Sequence, residues 1–140
     1  MLGVVNVYAG SACENQPGKG GWATLLVFNG HKKEIFGSAT FTTNNRMELV
    51  AVINCLKSLK TSCVVQVITN SQYVQKGGKD WLKQWKIEGR LESVDIENSD
   101  LWREIDNLCH VHIIHWVRES KSNDADVSRV CELARFSMKQ

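Results

Sequence analysis

The sequence predicts an α/β fold: a five-stranded mixed sheet, three antiparallel strands followed by two parallel ones, flanked by helices. Three observations predict it. Three β-branched or apolar runs come first, joined by short turns. A long amphipathic helical stripe follows them. Two further short strands, Val64 to Thr69 and His112 to Val117, are each preceded by helical sequence long enough for a crossover, which makes parallel pairs.

Val4 to Ala9 (Val-Val-Asn-Val-Tyr-Ala) reads as the first strand, and Gln16 to Gly21 as a turn cluster. Trp22 to Phe28 reads as the second strand. Asn29-Gly30 is a strong hairpin signal, because both residues tolerate the positive φ of a two-residue turn, so His31 to Ala39 returns as the third strand. Leu49, Val52, Ile53, Leu56 and Leu59 then form one buried helical stripe, with Asn45 as a candidate cap and Glu48 three residues later completing a capping box. After the strand Val64 to Thr69, a helical turn or two runs from about Ser71 to Gly77, and a short helix from Trp81 to Ile87. Gly89 to Asn98 is irregular. Leu101, Ile105 and Leu108 mark a helix begun at Ser99 or Asp100. Val127, Val130, Cys131, Ala134 and Met138 mark a C-terminal amphipathic helix.

Composition bounds the function. The 140 residues are 43% hydrophobic and 23% charged, which suits one compact domain spanning 1–140. No apolar run approaches the roughly 18 residues of a membrane span, and Met1-Leu2-Gly3-Val4 lacks the pattern of a signal peptide. Five cysteines in no CxxC spacing argue against a disulfide framework or zinc site and point to a reducing, cytoplasmic setting. A net charge of +2 does not by itself indicate nucleic-acid binding.

Several segments carry a family resemblance. They are Pro17 to Trp22, Thr42-Thr43-Asn44-Asn45-Arg46-Met47-Glu48-Leu49, Asn70-Ser71-Gln72-Tyr73-Val74, Trp81 and Trp85, Asp100-Leu101-Trp102, Trp116-Val117, and Glu132-Leu133-Ala134-Arg135. In this order and near this spacing the chain resembles bacterial-type ribonuclease HI over essentially its whole length. The resemblance implies a ribonuclease H-like fold that cleaves the RNA strand of an RNA–DNA hybrid with two Mg²⁺ ions. Two such ions lie about 3.5–4 Å apart and need several anionic oxygen ligands to offset their repulsion.

Most of those ligands are substituted here. The first family Asp sits in a Thr-Asp-Gly-Ser motif, and Gly10 takes its place in Ala9-Gly10-Ser11-Ala12. Glu48 is retained. Asn70 replaces the third Asp with a neutral amide. Cys131 takes the fourth position, before Glu-Leu-Ala-Arg, although the run Asn123-Asp124-Ala125-Asp126 offers Asp126 as an alternative acid. The family's Gly-His loop is replaced by Arg118-Glu119-Ser120-Lys121-Ser122. Any metal is therefore expected to bind weakly, through Glu48.

The same resemblance assigns nucleic-acid contacts to Asn15, Gln16, Thr43, Asn44, Asn45 and Arg46, and to the channel residues Trp81, Trp85 and Trp102. Hydroxyl, amide and guanidinium groups of this kind bind backbone oxygens without reading sequence. The protrusion between Lys83 and Asn98 carries Lys83, Lys86 and Arg90 against Glu88, Glu92, Asp95 and Glu97, which weakens its pull on phosphates. The expectation is a ribonuclease H-like protein with a degenerate site, a pseudoenzyme that retains a nucleic-acid (RNA–DNA hybrid) or protein binding role. Two alternatives stay open: an active hybrid endonuclease with a rebuilt site, and a protein-interaction scaffold with no nucleic-acid role.

Overall fold

A computed structural model describes residues 3–119 and 124–140. Five strands, β1 (Val4–Cys13), β2 (Gly18–Phe28), β3 (His31–Thr42), β4 (Val64–Thr69) and β5 (Ile113–Arg118), form one mixed sheet in the order β3-β2-β1-β4-β5. β1, β2 and β3 are antiparallel neighbours, and β4 and β5 run parallel to β1. The fold class read from the sequence is the one observed.

The early strands run further than their composition suggests. β1 continues past Ala9 to Cys13, β2 begins at Gly18 inside the glycine-rich cluster, and β3 continues to Thr42. Glycine is a poor strand residue, yet here the ladder is completed across it: Gly10 pairs with Ala23, Ala12 with Gly21 and Cys13 with Gly20. Cross-strand pairing outweighs local propensity. The turn shrinks accordingly, with Asn15 taking a positive φ of 54°.

The helices are α1 (Asn44–Lys57), α2 (Gln72–Lys76), α3 (Leu82–Ile87), α4 (Ser99–Cys109) and α5 (Ala125–Met138). A π turn, Gly77–Trp81, joins α2 to α3, so the two helical stretches read separately in the sequence are continuous. α1 differs from expectation at its start. Thr43, not Asn45, is the cap, its hydroxyl accepting the Arg46 N–H at 3.2 Å. Glu48 makes no capping box. Its side chain turns inward and is buried.

The sheet has two packed faces. Val5, Val7 and Ala9 of β1 meet Leu49, Val52 and Leu56 of α1, with Leu101, Trp102 and Ile105 of α4 extending this core. On the opposite face, Ala23 and Leu25 of β2 meet Val130, Leu133 and Ala134 of α5. α5 lies at backbone-contact distance. A Cβ at Gly21 would stand 2.3 Å from the Ala134 carbonyl oxygen, and one at Gly10 would stand 2.9 Å from the Val130 carbonyl carbon and oxygen. Only glycine permits that approach. Links to β3 hold the helix down: Lys32 to Asp126 (3.2 Å), Arg129 to Glu34 (2.6 and 3.1 Å), and the Ser137 hydroxyl to the Gly37 carbonyl (2.6 Å). No helix among the described residues is long and apolar enough to cross a membrane.

Candidate active site

The site lies where β4 ends beside the middle of β1. Their parallel register ends with Ala9 paired with Thr69, so Gly10, within β1, stands beside Asn70 at the carboxyl end of β4, the usual place for function in an open α/β sheet. α1 crosses behind and delivers Glu48 from its second turn. α5 crosses in front and delivers Cys131. The four positions expected from the resemblance are thus brought together.

Their chemistry is not that of a carboxylate cluster. Glu48 is 2% exposed. Thr69 Oγ1 donates to Glu48 Oε1 at 2.5 Å and itself accepts the Ser71 N–H at 3.0 Å, and the Ser11 side chain makes a second bond to the carboxyl. Burial pushes the Glu48 pKa up, and these two bonds pull against it. Asn70 is exposed, and its Nδ2 donates to Cys131 Sγ at 3.7 Å. Burial, then the neighbouring charge of Glu48, push the Cys131 thiol up, so it is a neutral thiol near pH 7. Gly10 contributes no side chain, and the Val130 backbone fills the space a Cβ would occupy. Among the described residues no group of three His, Cys, Asp or Glu side chains is arranged to hold a metal ion. Ser11 and Thr69, the partners of Glu48, carry no signal in the sequence that marks them.

Asp126 is corrected. Its carboxylate pairs with Lys32 of β3, and its N–H is capped by Asp124 Oδ1 (2.9 Å), which also accepts the Val127 N–H (3.1 Å). Cys131, not Asp126, stands beside Asn70. Ser120 to Asn123, part of the segment that replaces the family's Gly-His loop, lie outside the described residues.

The expected nucleic-acid residues divide into those on the surface and those already engaged. Asn15 is exposed on the β1–β2 turn. Gln16 Oε1 accepts the Asn44 N–H at 3.1 Å, tying that turn to the start of α1. Thr43 is spent on the cap, Asn45 is half-buried, and Asn44 Oδ1 is buried without a partner. Arg46 is held by Asp100 through two bonds (2.6 and 3.1 Å) and by Asn98 Oδ1 at 3.1 Å. The bond to Asp100 holds the Arg46 pKa up, and the bond to Arg46 holds the Asp100 carboxyl down. Asp100 and Asn98 were not singled out in the sequence as partners of Arg46, because they lie more than fifty residues away.

Trp102 is also corrected. It is fully buried, and its Nε1–H donates to the Tyr73 hydroxyl at 3.0 Å, so it packs beneath Tyr73 and Trp85 and presents no exposed surface. Trp81 and Trp85 are half-buried. The rings Tyr73–Trp81 (5.6 Å), Trp81–Trp85 (6.1 Å) and Trp85–Trp102 (5.7 Å) form one continuous cluster at edge-on and tilted angles.

The family model for RNase H matches residues 3–134. A protein of Ralstonia nicotianae named Ribonuclease H is 45% identical over 141 residues, covering 94% of this chain and 93% of that one. The fold is similar to the crystal structure of LC9-RNase H1, a type 1 RNase H with the type 2 active-site motif, at a TM-score of 0.86 and 26% identity, over 99% of this chain and 74% of that one. It is also similar, in fold alone, to LC11-RNase H1 in complex with RNA/DNA hybrid, at a TM-score of 0.75 and 18% identity, over 96% of each chain. From its strand order, its converging site positions and these relatives together, the chain belongs to the ribonuclease H family.

Proposed function

We propose that this chain is a ribonuclease H-fold protein that no longer cuts RNA and instead binds RNA–DNA hybrid. The observation that carries the reading is the state of Glu48: a lone carboxyl, buried under Thr69 and Ser11, with α5 backbone lying where the first aspartate side chain would stand. Mg²⁺ wants hard, charged oxygen ligands in open octahedral geometry. One buried carboxyl, one amide and one neutral thiol do not fit a pair of such ions. Losing even an outer-shell partner at a metal site costs roughly 10–100-fold in affinity or activity, and here three of four inner ligands are changed. A site rebuilt on Asp126 has no support, because that carboxylate is paired with Lys32.

Hybrid binding is supported by the retained turn and helix start around Asn15, Gln16 and Asn44 and by the Trp81–Trp85 surface. The engagement of Arg46 by Asp100, with the acids of the protrusion, favours a second reading, in which the fold serves a protein partner. All five cysteines are free, which supports a cytoplasmic setting.

The test is a cleavage assay on a labelled RNA–DNA hybrid in Mg²⁺ and in Mn²⁺, run beside a binding titration at low and high salt. No turnover with salt-dependent binding is expected. Multiple-turnover cleavage abolished by Glu48→Gln overturns the loss of activity. Absence of hybrid binding at low salt overturns the nucleic-acid reading in favour of a protein partner.

A further inference from the structure

A second cleft lies away from the site above, between the π turn, the start of α3 and strand β5. It has a volume of about 520 Å³, within the roughly 300–1,000 Å³ of small-molecule pockets. Its walls differ in character. Cys109, Ile114 and Trp116 make an apolar side. Burial pushes the Cys109 thiol up to about 11, so that group is neutral and belongs to the apolar wall. Lys79 and Lys83, four residues apart on one helical face, both line the cleft. Neither lysine has an ion-pair or hydrogen-bond partner among the described residues.

The independent observation is His112. It is 4% exposed and lines the same cleft. Its Nδ1 accepts the Cys63 N–H at 3.1 Å. An accepting Nδ1 leaves the ring proton on Nε2, and Nε2 has no partner among the described residues. A buried ring with one nitrogen satisfied from the protein leaves a donor that a ligand can complete. His115 also lines the cleft. Asp106, the carboxylate lining the adjoining groove, is paired with Lys86 at 3.0 Å, so it does not cancel the two free lysines.

We propose that this cleft binds an organic phosphate monoester, its phosphate held by Lys79, Lys83 and the His112 Nε2–H and its apolar body against Ile114, Cys109 and Trp116. Two ammonium groups match a phosphate dianion, for which lysine serves as a point charge. The apolar wall requires an organic body behind it.

The test is an NMR titration of the full chain with phenyl phosphate, using inorganic phosphate and phenol as controls. Phenyl phosphate is expected to give saturable shifts at Gly78, His112 and the Trp116 indole. Each control should bind at least about tenfold more weakly, since each lacks one half of the recognition. Lys79→Ala with Lys83→Ala, both at the surface, should weaken binding by about tenfold per lysine while leaving the rest of the spectrum dispersed. Failure to saturate overturns the site. So does equal affinity for inorganic phosphate, unchanged affinity in the double variant, or shifts centred on Asn44 and Arg46 instead of β5.

Discussion

Thr69 Oγ1 stands 2.5 Å from Glu48 Oε1 and donates its proton to that carboxyl, while the same oxygen accepts the Ser71 N–H at 3.0 Å. Glu48 is therefore part of a closed network that ties α1 to the end of β4. It behaves as a structural group whose ionisation works against the fold.

That has a pH consequence. Burial holds the Glu48 carboxyl above its ordinary value of 4.5, so the folded chain binds this proton more tightly than the unfolded one. The stabilisation is complete below the ordinary value and is lost as pH rises through the raised one. Glu48→Gln keeps an acceptor for Thr69 and removes the ionisation. Its melting temperature relative to the parent is expected to climb as pH rises above the ordinary carboxyl value of 4.5. A difference that stays flat or declines as pH rises, followed by circular dichroism, contradicts the assignment.

Close approach of α5 gives a second prediction. Gly10→Ala places a Cβ 2.9 Å from the Val130 carbonyl carbon and oxygen. A loss of about 1–3 kcal/mol is expected, the usual cost of overpacking. Gly21→Ala should cost at least as much, because its Cβ would meet the Ala134 carbonyl oxygen at 2.3 Å. Urea midpoints that fall at constant m-value report this. A neutral Gly10→Ala would mean that α5 is not seated so closely.

Arg46 supplies a third. If Asp100 competes with phosphate for the guanidinium, Asp100→Asn should tighten hybrid binding. It should also steepen the slope of log K against log salt by about 0.9, one additional phosphate contact. Adding Arg46→Ala should return the slope to that of the parent. Fluorescence anisotropy over a salt series measures both, and an unchanged slope removes Arg46 from the interface.

Reversion of the site is the fourth. Gly10→Asp, Asn70→Asp and Cys131→Asp together place three acids beside Glu48. In chelator the triple variant should melt below the parent, from charge repulsion and from the contact at residue 10. Mg²⁺ should then raise its melting temperature by mass action, an effect absent in the parent. Any recovered hybrid cleavage should be slow, and single reversions should recover none, since the ligands act as a unit. A triple variant indifferent to Mg²⁺ would show that α5 does not yield enough to admit the ions.

Much of this was legible in the sequence, for definable reasons. Hairpin chemistry at Asn29-Gly30 and the stripe from Leu49 to Leu56 are local patterns, so the fold class and the buried face of α1 could be read directly. Misreadings fell where pairing between distant segments decides the outcome. Glycines at 18, 20 and 21 look like a turn until β1 and β3 supply partners on either side. Glu48 looks like half of a capping box until Thr69 and Ser11 draw it inward.

Residue identity alone gives the chemistry of the site: no side chain at Gly10, an amide at Asn70 and a thiol at Cys131 hold in any conformation. Only the tertiary structure decided what surrounds those groups. It buried Glu48, set Cys131 beside Asn70, paired Asp126 with Lys32 across 94 residues of chain, closed Arg46 onto Asp100, and buried Trp102. Hydrogen bonds, ion pairs and burial act over a few ångströms, and neighbours at that range are set by how sheet and helices pack, which local sequence pattern does not encode.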